Sequence, residues 1–214
     1  MKILLTGKDG QVGFALHKKL ASLGEVIATN RDMLDLGDPQ AIRAFIDQTQ
    51  PDIIINPAAY TQVDKAESEK LLAHQINAVA PQVLTDKASE LDIPMIHFST
   101  DYVFDGLKHE PYLETDEVNP QSVYGQTKWE GEEGVRKNKK HIILRTSWVF
   151  SSHGQNFLKT IMLDAELVNV PIVSENGTTE VSIEDLIENK IIVRVKDNGE
   201  GIEQHNIPRL FERF

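Results

Sequence analysis

Tyr124 and Lys128 form a YxxxK pair. On a helix, positions i and i+4 share a face. A lysine ammonium beside a phenol stabilises the phenolate. Bringing a tyrosine from a pKa of about 10 to near 7 takes roughly 4 kcal/mol, which a cation in a partly dry cleft can supply. Such a phenol can give its proton to a carbonyl oxygen as hydride reaches the carbon. The pair alone is also what an exposed aromatic–lysine helix contact looks like. Ser99-Thr100-Asp101 adds context, because it ends an apolar run of strand type. Ligands of parallel sheets bind at strand carboxyl ends. The Thr100 hydroxyl is the candidate to hold a substrate carbonyl, with Ser99 as the alternative or as a structural cap.

A second constellation lies at the start of the chain. Thr6-Gly7-Lys8-Asp9-Gly10-Gln11-Val12-Gly13 has GxxGxxG spacing after one apolar run and before a helical pattern. Gly7 suits a sharp turn, Gly10 a close approach of backbone to pyrophosphate, and Gly13 tight packing of the helix. The helix N-terminus would offer free N–H groups to phosphate. A glycine turn without a ligand is the plainer alternative. The next apolar run ends at Thr29-Asn30-Arg31. An acid there holds a ribose 2′-hydroxyl, whereas an arginine holds a 2′-phosphate. Asn30 and Arg31 therefore tilt the reading towards NADP over NAD. Asp35-Leu36 can flank the adenine, although a cap or turn role for Asp35 is an equal alternative.

These residues need a frame. Strands are expected at Lys2–Thr6, Glu25–Thr29, Asp52–Asn56, Pro94–Phe98 and His141–Arg145, each short and rich in Ile, Leu or Val. Helices are expected at Gln11–Leu23, Pro39–Thr49 with Asp38 as N-cap, Leu71–Leu91 and Val123–Lys137. Pro81 would kink or split the third. The alternation predicts an α/β fold, a Rossmann-like doubly wound parallel sheet. After about Leu163 the pattern changes. Asp164–Ile172 has no clear period, Thr178–Ile183 and Lys190–Lys196 suggest an antiparallel hairpin, and Ile207–Phe214 suggests a short helix. The expected division is 1–163 and 164–214, the second part an appendage of hairpin plus helix. Residues 178–214 would touch the main domain and cover a sheet edge through Leu210, Phe211 and Phe214.

Composition narrows the function classes. The 214 residues include 22 Lys+Arg and 33 Asp+Glu, a net charge of -11, which disfavours a nucleic-acid partner. There is no cysteine, so disulfides, Cys-ligated clusters and thiol nucleophiles are excluded. No apolar stretch approaches the roughly 18 residues of a membrane span. A cytoplasmic setting fits these features. The seven His are scattered, without metal-ligand spacing.

The stretches ILLTGKDGQVG, PDIIINPAAYTQVDKAES, INAVAP, HFSTDYVFDG, VYGQTKWEGE, RTSWVF and HGQNFLKT occur in this order over residues 1–162. In them the chain resembles the extended short-chain dehydrogenase/reductases and, within these, the dTDP-4-dehydrorhamnose reductase family. The resemblance implies Thr100, Tyr124 and Lys128 as a catalytic triad. It implies cofactor-phosphate contacts from Gly10, Gln11 and Val12, adenosine contacts from Asp35 and Leu36, and a nicotinamide side lined by Ala59, Tyr60 and Thr61. Asp101 and Trp148 would meet the sugar, with plain core as the alternative for Trp148. The implied reaction is NAD(P)H reduction of dTDP-4-dehydro-L-rhamnose to dTDP-L-rhamnose. Mg²⁺ at a dimer contact, and hence a homodimer, is implied by the resemblance alone.

The family pattern stops after about Lys159–Leu163. KIIVRVKDNGEGIEQHNIPRLFERF resembles part of a sensor histidine kinase ATP-binding domain, over about residues 175–214. That resemblance implies Asp197 as the adenine reader, with Gly199 and Gly201 shaping the pocket. A turn is the simpler alternative for Asp197-Asn198-Gly199. The chain thus reads as a join of a reductase piece and a kinase piece. The alternatives to a reductase are a non-catalytic nucleotide-binding or chimeric module, and a kinase-derived ATP binder.

Overall fold

The computed structural model describes residues 1–156, 159, 170–174, 177–187 and 190–197. It divides into two units, Met1–Val149 and Phe150–Phe214.

The first unit is built on five strands: β1 (Lys2–Leu5), β2 (Glu25–Ala28), β3 (Ile53–Asn56), β4 (Met95–Thr100) and β5 (His141–Thr146). All pair in parallel, in the order β2-β1-β3-β4-β5. Central strands of such a sheet are covered on both faces, which is why they read as continuous apolar runs. Ile3, Leu4 and Leu5 are all fully buried, but they serve opposite faces. Leu4 joins Ile54 and Met95 in one cluster with Ile42, Ile46 and Leu84. Ile3 and Leu5 join Ile55 in the other, against Leu16 and Leu20. Burying each such side chain stabilises the fold by roughly 1.5–3 kcal/mol. On β5, Ile142 and Leu144 remain exposed.

The helices are α1 (Gln11–Leu20), α2 (Pro39–Thr49), α3 (Val63–Ala66), α4 (Lys70–His74), α5 (Ala80–Glu90) and α6 (Val123–Val135). Asp38 caps α2, its Oδ1 accepting from the N–H groups of Gln40 (2.9 Å) and Ala41 (3.1 Å). Pro81 neither splits its helix nor ends it. A π-helical turn, Gln75–Val79, joins α4 to α5, and the Ala80 N–H bonds the Gln75 carbonyl. Pro81 has no N–H to give Asn77, so a wider turn at that point forfeits little. A Cβ at Gly131 of α6 would run into the Asn77 carbonyl oxygen, so the glycine lets α6 lie directly on the π turn.

Beyond residue 149 the described backbone forms β6 (Val170–Ser174), β7 (Gly177–Ile187) and β8 (Lys190–Asp197). The expected hairpin is present as the antiparallel pair β7–β8, with a register irregularity between Glu184 and Ile187. β6 pairs antiparallel with β7 through the stretch that had no clear period. The expected helix at 207–214, with Leu210, Phe211 and Phe214, lies outside the described residues. Among the described residues, no helix is long and apolar enough to cross a membrane.

Candidate active site

The glycine turn links β1 to α1. Gly7 has φ +63°, a left-handed conformation, and a Cβ there would lie 2.9 Å from the Cβ of Ala58. A Cβ at Gly13 would collide with the Gly7 carbonyl oxygen. The first turn of α1 therefore rests on the glycine turn itself. Gly10 is the N-cap of α1, and no side chain caps that end. Its N–H bonds the Gly7 carbonyl at 3.0 Å. Val12 is half-buried, and Gln11 Nε2 donates to the Val149 carbonyl at 3.3 Å. The Lys8 N–H bonds the Thr29 carbonyl at 2.9 Å, tying the turn to the end of β2.

After β2, Asn30 Nδ2 donates to Asp9 at 2.9 Å and Arg31 is exposed. Asp35 makes the turn contact that was its alternative role, accepting from the Gly37 N–H at 2.8 Å. The Leu36 side chain is buried in the core, so only its backbone is free to meet a ligand there. After β3, Ala59 and Tyr60 are half-buried and Thr61 is exposed. The Tyr60 hydroxyl donates to Glu69 at 2.7 Å. Its backbone is held by Asn77, whose Oδ1 accepts from the Tyr60 N–H (2.8 Å) and whose Nδ2 donates to the Tyr60 carbonyl (3.1 Å) and to Thr127 Oγ1 (3.2 Å).

Thr100, Asp101 and Tyr124 come together at the end of β4. Thr100 lies beside the Tyr124 phenol, close enough to lower its pKa. It also donates to Asp101 Oδ1 at 3.1 Å and accepts from the Tyr102 N–H at 3.2 Å. Asp101 accepts a second bond, from Ser147 at 2.9 Å. The Tyr102 ring meets Tyr124 edge-on, with centroids 5.5 Å apart. Ser99, by contrast, has a buried hydroxyl without a hydrogen-bond partner among the described residues. Trp148 is not core: it is 47% exposed and holds a left-handed φ of +49°. Bulky residues rarely adopt that conformation outside strained or functional segments.

The electrostatics depart from the expected lysine-activated phenol. Burial pushes the Tyr124 phenol above its ordinary range; the neighbouring Thr100 hydroxyl opposes this, while Asp101 and Tyr102 add to it. Lys128 sits one turn on, buried, and its Nζ donates to the Phe98 carbonyl at 2.6 Å. Burial pushes its pKa down to about 8, with Glu132 opposing. In this state Tyr124 keeps its proton at neutral pH, as a proton donor must.

Three features escaped the sequence reading: Asn77, His97 and the pair Glu132–Arg145. Glu132 is fully buried, and Arg145 of β5 grips it with two bonds, at 2.9 and 2.8 Å. INAVAP was legible as a motif, but nothing in it announced the Asn77 clamp. His97 reads as a lone polar residue in an apolar strand.

The parallel order β2-β1-β3-β4-β5, with a glycine turn at its first βα junction and Thr100 and Tyr124 meeting at the end of β4, defines a Rossmann-like fold of the short-chain dehydrogenase/reductase type. Residues 1–174 match the family described as "RmlD substrate binding domain", and the chain belongs to that family. A dTDP-4-dehydrorhamnose reductase from Sinorhizobium fredii is 46% identical over 163 residues, 76% of this chain and 55% of the relative. The chain thus spans about half the length of the relatives it matches. A crystal structure of a dTDP-4-dehydrorhamnose reductase from Clostridium acetobutylicum superposes with a TM-score of 0.76 at 44% identity, covering 78% of this chain and 60% of that one. One from Bacillus anthracis, in complex with NADP, gives a TM-score of 0.74 at 33% identity, with the same coverage. The family match ends at residue 174, so the kinase resemblance over 175–214 gains no support from it. Asp197 ends β8, and Gly199 and Gly201 lie outside the described residues.

Proposed function

We propose that this chain carries the cofactor-binding and catalytic portion of an NAD(P)H-dependent reductase of dTDP-4-dehydro-L-rhamnose, yielding dTDP-L-rhamnose. The observation that carries the reading is the meeting of Thr100 and Tyr124 at the carboxyl end of β4, with buried Lys128 one helical turn away. The glycine turn supports a dinucleotide: side chains are sterically barred at Gly7 and Gly13, and the uncapped end of α1 leaves N–H groups for phosphate. The bound nicotinamide supplies the hydride. Gln11 and Val12 flank the pyrophosphate, Asn30 and Arg31 meet the adenosine end with a preference for the 2′-phosphate of NADPH, and Asp35 borders the adenine. Ala59, Tyr60 and Thr61 line the nicotinamide side.

Thr100 orients the ketone oxygen, and Tyr124 gives that oxygen its phenolic proton. Hydride at carbon and proton at oxygen together make the alcohol. The phenolate left on Tyr124 is an anion in a partly dry site, and the Lys128 ammonium offsets its charge. Asp101 and Trp148 meet the sugar.

A homodimer and Mg²⁺ remain proposals on resemblance alone. Among the described residues, no group of three His, Asp or Glu stands placed to hold a metal. The cytoplasm is the proposed compartment, consistent with a chain that has no cysteine.

The test is turnover of the dTDP-4-ketosugar with NADPH, followed by nicotinamide absorbance, in the wild type and in Tyr124→Phe. The variant keeps the ring and lacks the proton, and its rate should fall by about 10²-fold or more. Equal rates would remove Tyr124 from the chemistry. Cofactor binding without turnover in the wild type would instead favour a non-catalytic nucleotide-binding module.

A further inference from the structure

A chain of four buried side chains runs beneath the site, across three strands. Lys128 Nζ lies 3.4 Å from His97 Nε2. His97 Nδ1 lies 3.1 Å from the Asn56 amide nitrogen. Asn56 Oδ1 lies 2.6 Å from Thr6 Oγ1, which also accepts from the Ala58 N–H at 3.4 Å. All four residues are buried. Thr6 directly precedes the glycine turn, and Ala58 is the residue a Cβ on Gly7 would strike. The chain therefore connects the lysine of the site to the floor of the nucleotide turn.

Burial, and secondarily the charge of Lys128, hold the His97 ring in its neutral form. A neutral imidazole has one N–H donor and one acceptor nitrogen. An ammonium only donates, whereas a neutral amine also accepts. The chain consequently has two directions, in both of which the ring nitrogens of His97 and the amide oxygen and nitrogen of Asn56 have partners. When Lys128 is neutral, Thr6 donates to Asn56 Oδ1, Asn56 Nδ2 donates to His97 Nδ1, and His97 Nε2–H donates to the amine. When Lys128 is charged, it donates to His97 Nε2, His97 Nδ1–H donates to Asn56, and the Asn56 amide turns over to donate to Thr6 Oγ1. Amide orientation and ring tautomer follow from the network in each case. Neither direction leaves a polar atom of His97 or Asn56 unpaired, and an unpaired buried donor costs about 1–3 kcal/mol.

We propose that His97 is a tautomeric switch, its proton on Nε2 when Lys128 is neutral and on Nδ1 when Lys128 is an ammonium, so that the charge of the lysine sets the hydrogen-bond direction of a chain reaching Thr6 under the nucleotide turn. His97 is then a positioning residue, acting through Lys128. The other groups around the lysine are fixed in role. On α6, Tyr124 lies one turn before it and Glu132 one turn after, the latter paired with Arg145 of β5 and with Arg136. From β4 the Phe98 carbonyl accepts from Nζ in either charge state. Asp101 and Tyr102 act on Tyr124. Of the groups that touch the lysine, only His97 must change its donor when the lysine changes charge; Asn56 and Thr6 follow it along the chain. The consequence for catalysis rests on the reductase reading; the switch itself does not.

The experiment is ¹⁵N NMR of the full chain labelled at histidine ring and lysine ζ nitrogens, from about pH 6.5 to about pH 10. The protonated nitrogen of His97 should move from Nδ1 to Nε2 as pH rises, with the midpoint of the Lys128 Nζ titration, near 8. Lys128→Met should lock one tautomer at every pH. A single tautomer across the whole range in the wild type would overturn the proposal, as would a swap that persists in Lys128→Met. The wild-type titration decides the matter if that variant does not fold. A parallel NADPH titration separates the two readings: a tautomer swap without cofactor binding leaves the switch and removes the reductase.

Discussion

The side-chain amide of Asn77 closes a ring with the main chain of Tyr60, accepting from its N–H at 2.8 Å and donating to its carbonyl at 3.1 Å. The same amide nitrogen reaches Thr127 Oγ1 on α6 at 3.2 Å. One buried side chain thus fixes the loop after β3 against the helix that carries Tyr124 and Lys128. The π turn matters here, because it sets the backbone from which Asn77 reaches both partners.

Asn77→Asp keeps the acceptor and loses both donations. It also buries a carboxylate beside the Tyr60 carbonyl. We expect a loss of about 1–3 kcal/mol in urea unfolding and weaker cofactor binding. A stability within about 0.5 kcal/mol of the wild type would show that the ring is not a structural tie.

Gly13→Ala places a methyl group against the Gly7 carbonyl. The turn must open or α1 must shift, since the atoms it meets are backbone. Rigid backbone clashes of this kind cost roughly 1–3 kcal/mol. NADPH affinity should fall at least tenfold, while circular dichroism still reports a helical, folded chain. Unchanged affinity would separate the glycine turn from dinucleotide binding.

The Lys128 titration has a definite sign. Its folded pKa is about 8, against an ordinary 10.5. Below pH 8 the lysine is charged in both folded and unfolded chains, and the whole burial penalty, roughly 3 kcal/mol, stands. Between 8 and 10.5 the unfolded chain holds more protons, so stability from this group rises with pH. Lys128→Met lacks the titration. Its stability advantage over the wild type should therefore be largest below pH 8 and shrink towards pH 10.5, as measured by urea melts at both ends. A difference independent of pH would contradict the buried-ammonium description.

Much of the frame was legible because short Ile/Val/Leu runs suit strands covered on both faces, and such runs mark parallel strands within a residue or two. β4 ran to Thr100 rather than Phe98 because Ser99 and Thr100 continue the ladder against Arg145 and Thr146. Pro81 misled, since a proline's missing N–H predicts a break and says nothing of a π turn that absorbs it. β6 was missed because strand pairing with β7 needs no apolar alternation. In the site, Tyr124, Lys128 and the glycines announced themselves by spacing. His97, Asn56 and Asn77 did not, because each acts through a partner 31 to 50 residues away in sequence or across the sheet. The phenol's direction of shift also depended on burial, which no spacing reveals.

The central claim is that a nicotinamide dinucleotide lies over the glycine turn, within reach of Tyr124. Titration of NADPH into the full chain, followed by nicotinamide fluorescence, tests it most directly. The account predicts saturable binding, stronger for NADPH than for NADH and weakened towards the NADH level by Arg31→Ala. A flat fluorescence response up to millimolar NADPH would contradict it.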